Sequence, residues 1–98
     1  MSQIAESEKD LERKLCAEVK KLGGWAIKLL SSQITGLPDR LCLLPGGKIF
    51  FVEMKSTSKK PTKIQLIVHD RLRALGFVVH VIDTSEKIDN FIKGVESK

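Results

Sequence analysis

The sequence predicts an α/β fold: a mixed sheet flanked by helices, with elements in the order αβββαβα, in a single domain over residues 1–98. Three observations point to it. Apolar residues recur at helical spacing near both ends and again in the middle of the chain, whereas the runs between them are short, apolar and rich in β-branched and aromatic residues. Pro45-Gly46-Gly47 separates two such runs, as in a β-hairpin. A helical segment then divides the third run from the last, which is the connection a parallel strand pair requires.

The first helix is expected over 8–22. Ser7 with Asp10 forms an S-x-x-D start signal, Leu11, Leu15, Val19 and Leu22 with Cys16 form the buried stripe, and Gly23-Gly24 ends it. Residues 1–6 read as a frayed tail. WAIKLL, 25–30, is the first strand, and Lys28 there reads as a lysine whose amine reaches the surface. A loop with Ser31 and Ser32 follows, with hydroxyls and amides suited to a phosphate. The strands of the hairpin flank 45–47. The basic, turn-rich stretch STSKKPTK carries Lys59, Lys60 and Lys63 and reads as a flexible linker. Pro61 opens a second helix to about residue 75, with Ile64, Val68, Leu72 and Leu75 on its inner stripe. Gly76 ends it, FVVHVI, 77–82, is the last strand, and Thr84 caps a helix over 85–95 with Ile88, Phe91, Ile92 and Val95 inward.

The hairpin register decides the chemistry. A period of two places Ile49, Phe51, Glu53 and Lys55 on one face of the second hairpin strand. With a two-residue turn Asp39 would pair with Met54 and point away from Glu53; with a three-residue loop, a glycine in the left-handed region, Asp39 pairs with Glu53. The three-residue loop is expected. Two carboxylates about 4 Å apart repel by about 4 kcal/mol at an effective dielectric of 20, so a cation or a shared proton must sit between them. Oxygen ligands alone select a hard ion, Mg²⁺ or Mn²⁺. Pro-Asp is also ordinary turn chemistry, and E-x-K alternation is what any half-solvated strand produces. The setting raises the signal, because these charges interrupt a strand that is apolar on both faces, and a charge there is costly unless paired or metal-bound.

Composition narrows the class of function. The chain has 98 residues, 42% of them hydrophobic, enough for one core but not for two domains. Its 17 Lys and Arg against 12 Asp and Glu leave a net charge of +5, which favours a polyanionic partner. No apolar run approaches the length of a membrane span, and MSQIAESEKD does not read as a signal peptide. Cys16 and Cys42 read as reduced core thiols of a cytoplasmic protein; no C-x-x-C is present, and His69 and His80 lack metal-ligand spacing. PGGKI is similar to the tail of a phosphate-binding P-loop, but Ile49 stands where Ser or Thr should follow the lysine, and a strand follows instead of a helix.

The run G-x-P-D at 36–39, the fourteen residues from Asp39 to Glu53 of E-x-K, the glutamine Gln65 on the next helix and the L-x-x-x-G-F-x-V segment at 72–79 resemble, as a set, the VRR-NUC (virus-type replication-repair nuclease) family. That family belongs to the PD-(D/E)XK superfamily of restriction-endonuclease-like folds. The resemblance spans 8–92. It implies that Asp39, Glu53 and the backbone carbonyl of Met54 bind metal, that Lys55 stands beside the attacking water, and that Gln65 is the helix glutamine of the site. It also implies a carboxylate on the first helix. Glu12 maps best, since archaeal-type Holliday junction resolvases place that acid eleven residues before the helix-ending glycine, as Glu12 is to Gly23, and carry a basic residue at the position of Lys28. Glu8 is the alternative.

The resulting expectation is a Mg²⁺- or Mn²⁺-dependent deoxyribonuclease, with no small-molecule cofactor and no membrane association, that cuts branched or duplex DNA such as Holliday junctions as a homodimer. Lys28, Ser31, Ser32, Lys59, Lys60 and Lys63 would grip phosphates. Trp25, Phe50, Phe51, Phe77 and Phe91 are all expected in the core, leaving no stacking platform for single strands. A non-catalytic nucleic-acid-binding module is the alternative.

Overall fold

The computed structural model describes residues 5–30 and 33–96. Its elements follow the expected order: α1 (Glu8–Lys21), β1 (Trp25–Lys28), β2 (Arg40–Leu44), β3 (Lys48–Met54), α2 (Lys63–Ala74), β4 (Val78–Ile82) and α3 (Ser85–Glu96). The four strands form one sheet in the order β1-β2-β3-β4, antiparallel except for the parallel pair β3–β4. Helix α2 makes the crossover between that pair. Ser31 and Ser32 lie outside the described residues, as does most of the expected N-terminal tail.

One sheet face carries the core. Leu11, Leu15 and Val19 of α1 and Ile88, Phe91 and Val95 of α3 pack on Cys42, Leu44, Val52, Met54 and Ile82, all buried. The caps are those the sequence signals: Ser7 accepts the Asp10 N–H at 3.1 Å, and Thr84 accepts the Lys87 N–H at 3.2 Å. Residue 6 departs from the expected tail. The Glu6 backbone pairs with Thr57, and its carboxylate accepts from the N–H and hydroxyl of Ser85 at the start of α3. Thr57 also donates to the Asp83 carbonyl, so the expected flexible linker is anchored at its beginning, while Lys59, Lys60 and Lys63 stay exposed.

The opposite face is covered on one side only. Helix α2 lies along β4, and it is turned differently from the expected stripe: Ile64 and Leu75 are exposed, and His69 is the buried residue of the helix. Gln65, His69, Leu72 and Arg73 recur at i, i+4, i+7 and i+8, the spacing of one helix face, and Arg73 donates to the Val79 carbonyl at 2.9 Å. Polar groups on that face have partners on the sheet, which overrides an assignment made from hydrophobicity alone. Beyond α2, the cross-strand row Trp25–Leu43–Ile49 runs over β1, β2 and β3, with Trp25 67% exposed and Ile49 42% exposed. Trp25 and Phe77 are therefore surface residues, contrary to expectation; Phe50, Phe51 and Phe91 are at least half-buried.

Both β1 and β4 are shorter than the apolar runs that announce them, because Leu29, Leu30 and Phe77 fall outside the ladder. At Gly24, where α1 turns into β1, an added Cβ would meet the Leu43 carbonyl oxygen at 2.6 Å and Leu44 Cδ2 at 2.8 Å, whereas at Gly94 in α3 it would meet nothing within 4 Å. Gly24→Ala is expected to destabilise the fold by about 1–3 kcal/mol. Gly94→Ala is expected to stabilise it by about 0.5–1 kcal/mol, both read from urea unfolding midpoints.

Candidate active site

The hairpin has the register on which the chemistry depends. Leu44 pairs with Lys48 and closes a loop of residues 45–47, with Gly46 and Gly47 both at positive φ, 83° and 74°. Counting back from Arg40↔Val52 sets Asp39 opposite Glu53. The Asp39 carboxylate reaches across and accepts the Met54 N–H at 2.7 Å, and its backbone carbonyl accepts the Leu29 N–H at 2.8 Å. Pro38 before it is buried. Gly36 serves the same placement: its φ is +96°, and a Cβ there would strike Ile64 at 2.9 Å, so the loop before the Pro-Asp pair lies directly on the first turn of α2.

Glu53 is 1% exposed, on the sheet face that α2 covers. Gln65 Nε2 donates to its Oε2 at 3.1 Å, and Lys55 Nζ lies 3.5 Å from the same oxygen. Gln65 is itself locked by a capping box, its Oε1 accepting the Thr62 N–H at 2.8 Å and its own N–H donated to the Thr62 hydroxyl at 3.2 Å. Oε1 of Glu53 is buried and has no hydrogen-bond partner among the described residues. Burial pushes the Glu53 carboxyl far above the ordinary carboxylate range, the Asp39 charge and a hydrogen bond with the Asp39 carboxyl push it further, and Lys55 pulls it partly back. The donor set fits a hard divalent ion: two carboxylates in mutual reach, one with an orphaned buried oxygen, beside an ammonium that does not cancel their repulsion.

The helix acids divide. Glu12, the first choice from sequence, has its Oε1 3.4 Å from Arg40 Nε, in an ion pair mostly out of solvent. Glu8, an exposed residue one turn before Glu12, feels the charges of the site: partial desolvation raises its carboxyl first, then the charges of Asp39 and Glu12, with Lys55 and Lys28 opposing. Lys28 is exposed at the end of β1. Among the described residues no group of three or more His, Cys, Asp or Glu side chains gathers as a metal cluster, so neither helix acid joins Asp39 and Glu53 directly.

One residue was missed. His69 is 0% exposed, one helical turn beyond Gln65, with its Nε2 3.4 Å from Glu53 Oε1. Burial, and next the Arg73 charge, hold its imidazole below the ordinary histidine value. The spacing Q-x-x-x-H was a usable signal, since i and i+4 share a face, but a neighbouring apolar stripe concealed it. Both cysteines are free, Cys42 buried with its thiol pushed up to about 12 by burial and Cys16 half-buried.

No family model matches the sequence. A protein of Acyrthosiphon pisum secondary endosymbiont phage 1, described as "Putative nuclease p44", is 49% identical over 79 residues, covering 81% of this chain and 85% of that one. A solved structure described as "VRR_NUC domain" superposes with a TM-score of 0.83 at 32% identity, over 90% of this chain and 97% of the other. Among the described residues no helix is long and apolar enough to cross a membrane.

Without a divalent ion, the folded chain holds a proton on Glu53 that the unfolded chain, with a carboxyl near 4.5, gives up. Stability from this group is then complete below about 4.5 and drains as pH rises toward about 8. Urea titrations in chelator should show wild-type stability falling across that window relative to Glu53→Gln by a few kcal/mol, on the order set by the linkage relation.

Proposed function

We propose that this chain, which belongs to the VRR-NUC family and is a nuclease, is a metal-dependent endonuclease that hydrolyses phosphodiester bonds in branched DNA as a homodimer. The observation that carries the reading is the convergence of Asp39 and Glu53 from adjacent strands, with the Lys55 amine alongside. Mg²⁺ or Mn²⁺ held by Asp39, Glu53 and the Met54 carbonyl would supply charge neutralisation at the scissile phosphate and acidify a water for attack.

The residues of the chain do the rest. Lys55 orients the attacking water and stabilises negative charge on the phosphate oxygens. Gln65 holds Glu53 Oε2 so that the carboxylate keeps its aim, and the locked Thr62 cap keeps Gln65 in place. Glu8 supplies the outer acid, to which the sequence assigned Glu12; Glu12 instead keeps Arg40 in the strand beside Asp39. Lys28, Lys59, Lys60 and Lys63, with Ser31 and Ser32, grip backbone phosphates, so affinity falls steeply with salt. Free thiols suit a reducing cytoplasm.

The dimer draws support from the open sheet face. Trp25, Leu43 and Ile49 form an apolar row on the same face as Glu53, in a chain whose core lies on the other side. A second copy is the occupant proposed, because one compact domain carries one site and cutting two strands of a junction requires two. Trp25 is thus assigned to protein contact and not to base stacking.

The test incubates a four-way junction, a flap and a linear duplex with the protein and Mg²⁺ or Mn²⁺. Wild type is expected to cut the branched substrates, and Asp39→Ala or Glu53→Ala to lose at least about a thousand-fold in rate, an order of magnitude for removing a group that fixes the metal and the transition-state charge. Binding of all three without cutting would replace the enzyme by a binding module. Sedimentation should show a dimer, and Trp25→Lys with Ile49→Glu a monomer; a monomeric wild type would end the homodimer.

A further inference from the structure

Hydrolysis at this site asks for no imidazole, yet α2 buries one. His69 is the only fully buried residue of its helix among those described, and it could be a leucine or phenylalanine if it only filled space. Neither ring nitrogen has a hydrogen-bond partner among the described residues, and the buried Oε1 of Glu53 has none. Those groups face each other at 3.4 Å from Nε2 to Oε1. Gln65, one turn earlier on the same face, already donates to the other oxygen of that carboxylate.

We propose that His69 is a positioning residue for Glu53: its Nε2–H closes onto Oε1 as Gln65 Nε2–H holds Oε2, so that two donors of one helix face set the rotation of the carboxylate toward Asp39. The two roles differ in what fixes them. Gln65 is anchored by the Thr62 cap, at the exposed start of the helix, whereas His69 is anchored by complete burial in its middle. Outer-sphere donors to a metal-ligating group tune affinity through its orientation, and here the donors would act before any ion arrives. The inference rests on the reading of Asp39 and Glu53 as metal ligands.

The experiment is a calorimetric titration of the full chain with Mn²⁺, beside urea unfolding of each variant. His69→Phe keeps a ring and removes both nitrogens; His69→Gln returns an N–H near the place of Nε2. His69→Phe should weaken Mn²⁺ binding about 10- to 100-fold while its metal-free unfolding midpoint stays at or above that of wild type, and His69→Gln should recover most of the loss. Mn²⁺ affinity in His69→Phe equal to wild type would overturn the proposal. If His69→Phe does not fold, His69→Leu against His69→Gln makes the same comparison. Absence of Mn²⁺ binding by wild type itself, matched by Asp39→Ala, would instead overturn the metal reading and the role of His69 with it.

Discussion

Two carboxylates pressed together, one of them almost fully buried under α2, oppose folding unless something positive or a proton joins them, and the arrangement around Asp39 and Glu53 follows from that constraint. Its origin is backbone geometry. A loop of Pro45, Gly46 and Gly47, with two glycines at positive φ, pairs Leu44 with Lys48 and so places residue 39 across from residue 53. One residue fewer in that loop would turn Glu53 away from Asp39 and leave an uncompensated charge among apolar side chains.

The remainder of the fold holds this pair still. The core formed by α1 and α3 lies on the other face, so β2 and β3 are clamped by Cys42, Leu44, Val52 and Met54 without crowding the acids. Helix α2 closes over Glu53 with polar groups instead of apolar ones. Its first turn is fixed twice, by the Thr62–Gln65 capping box and by the close approach of Gly36 to Ile64, and that contact joins the loop bearing Asp39 to the helix bearing Gln65. Loop, hairpin and helix are therefore mechanically one unit. Burial disfavours the charged form of Glu53, and the neighbouring Asp39 charge adds to that, so the Glu53 carboxyl is raised despite the opposing Lys55.

The surface left open is as telling as the site. A small domain with one helix on a four-stranded face cannot cover the whole of it, and Trp25, Leu43 and Ile49 form the uncovered part. The outer side of α2 adds exposed Ile64, Ile67 and Leu75. Apolar surface of this kind is the part of the molecule that a partner could cover.

Local pattern alone determined a great deal: the seven elements in their order, the caps at Ser7 and Thr84, the hairpin register, and the joint placement of Asp39, Glu53 and Lys55, whereas Gln65 was indicated only by the family resemblance. These rest on periodicity, turn chemistry and pairing arithmetic, which act over a few residues and are written in the chain. Tertiary structure decided what depends on the rotation of one element against another. It turned α2 so that His69, not Ile64 or Leu75, is buried; it paired Glu12 with Arg40; it left Trp25 and Phe77 at the surface. Periodicity states that a helix has an apolar side, but a buried polar partner such as Glu53 changes which side is best buried, and that partner is distant in sequence and adjacent only in the folded chain.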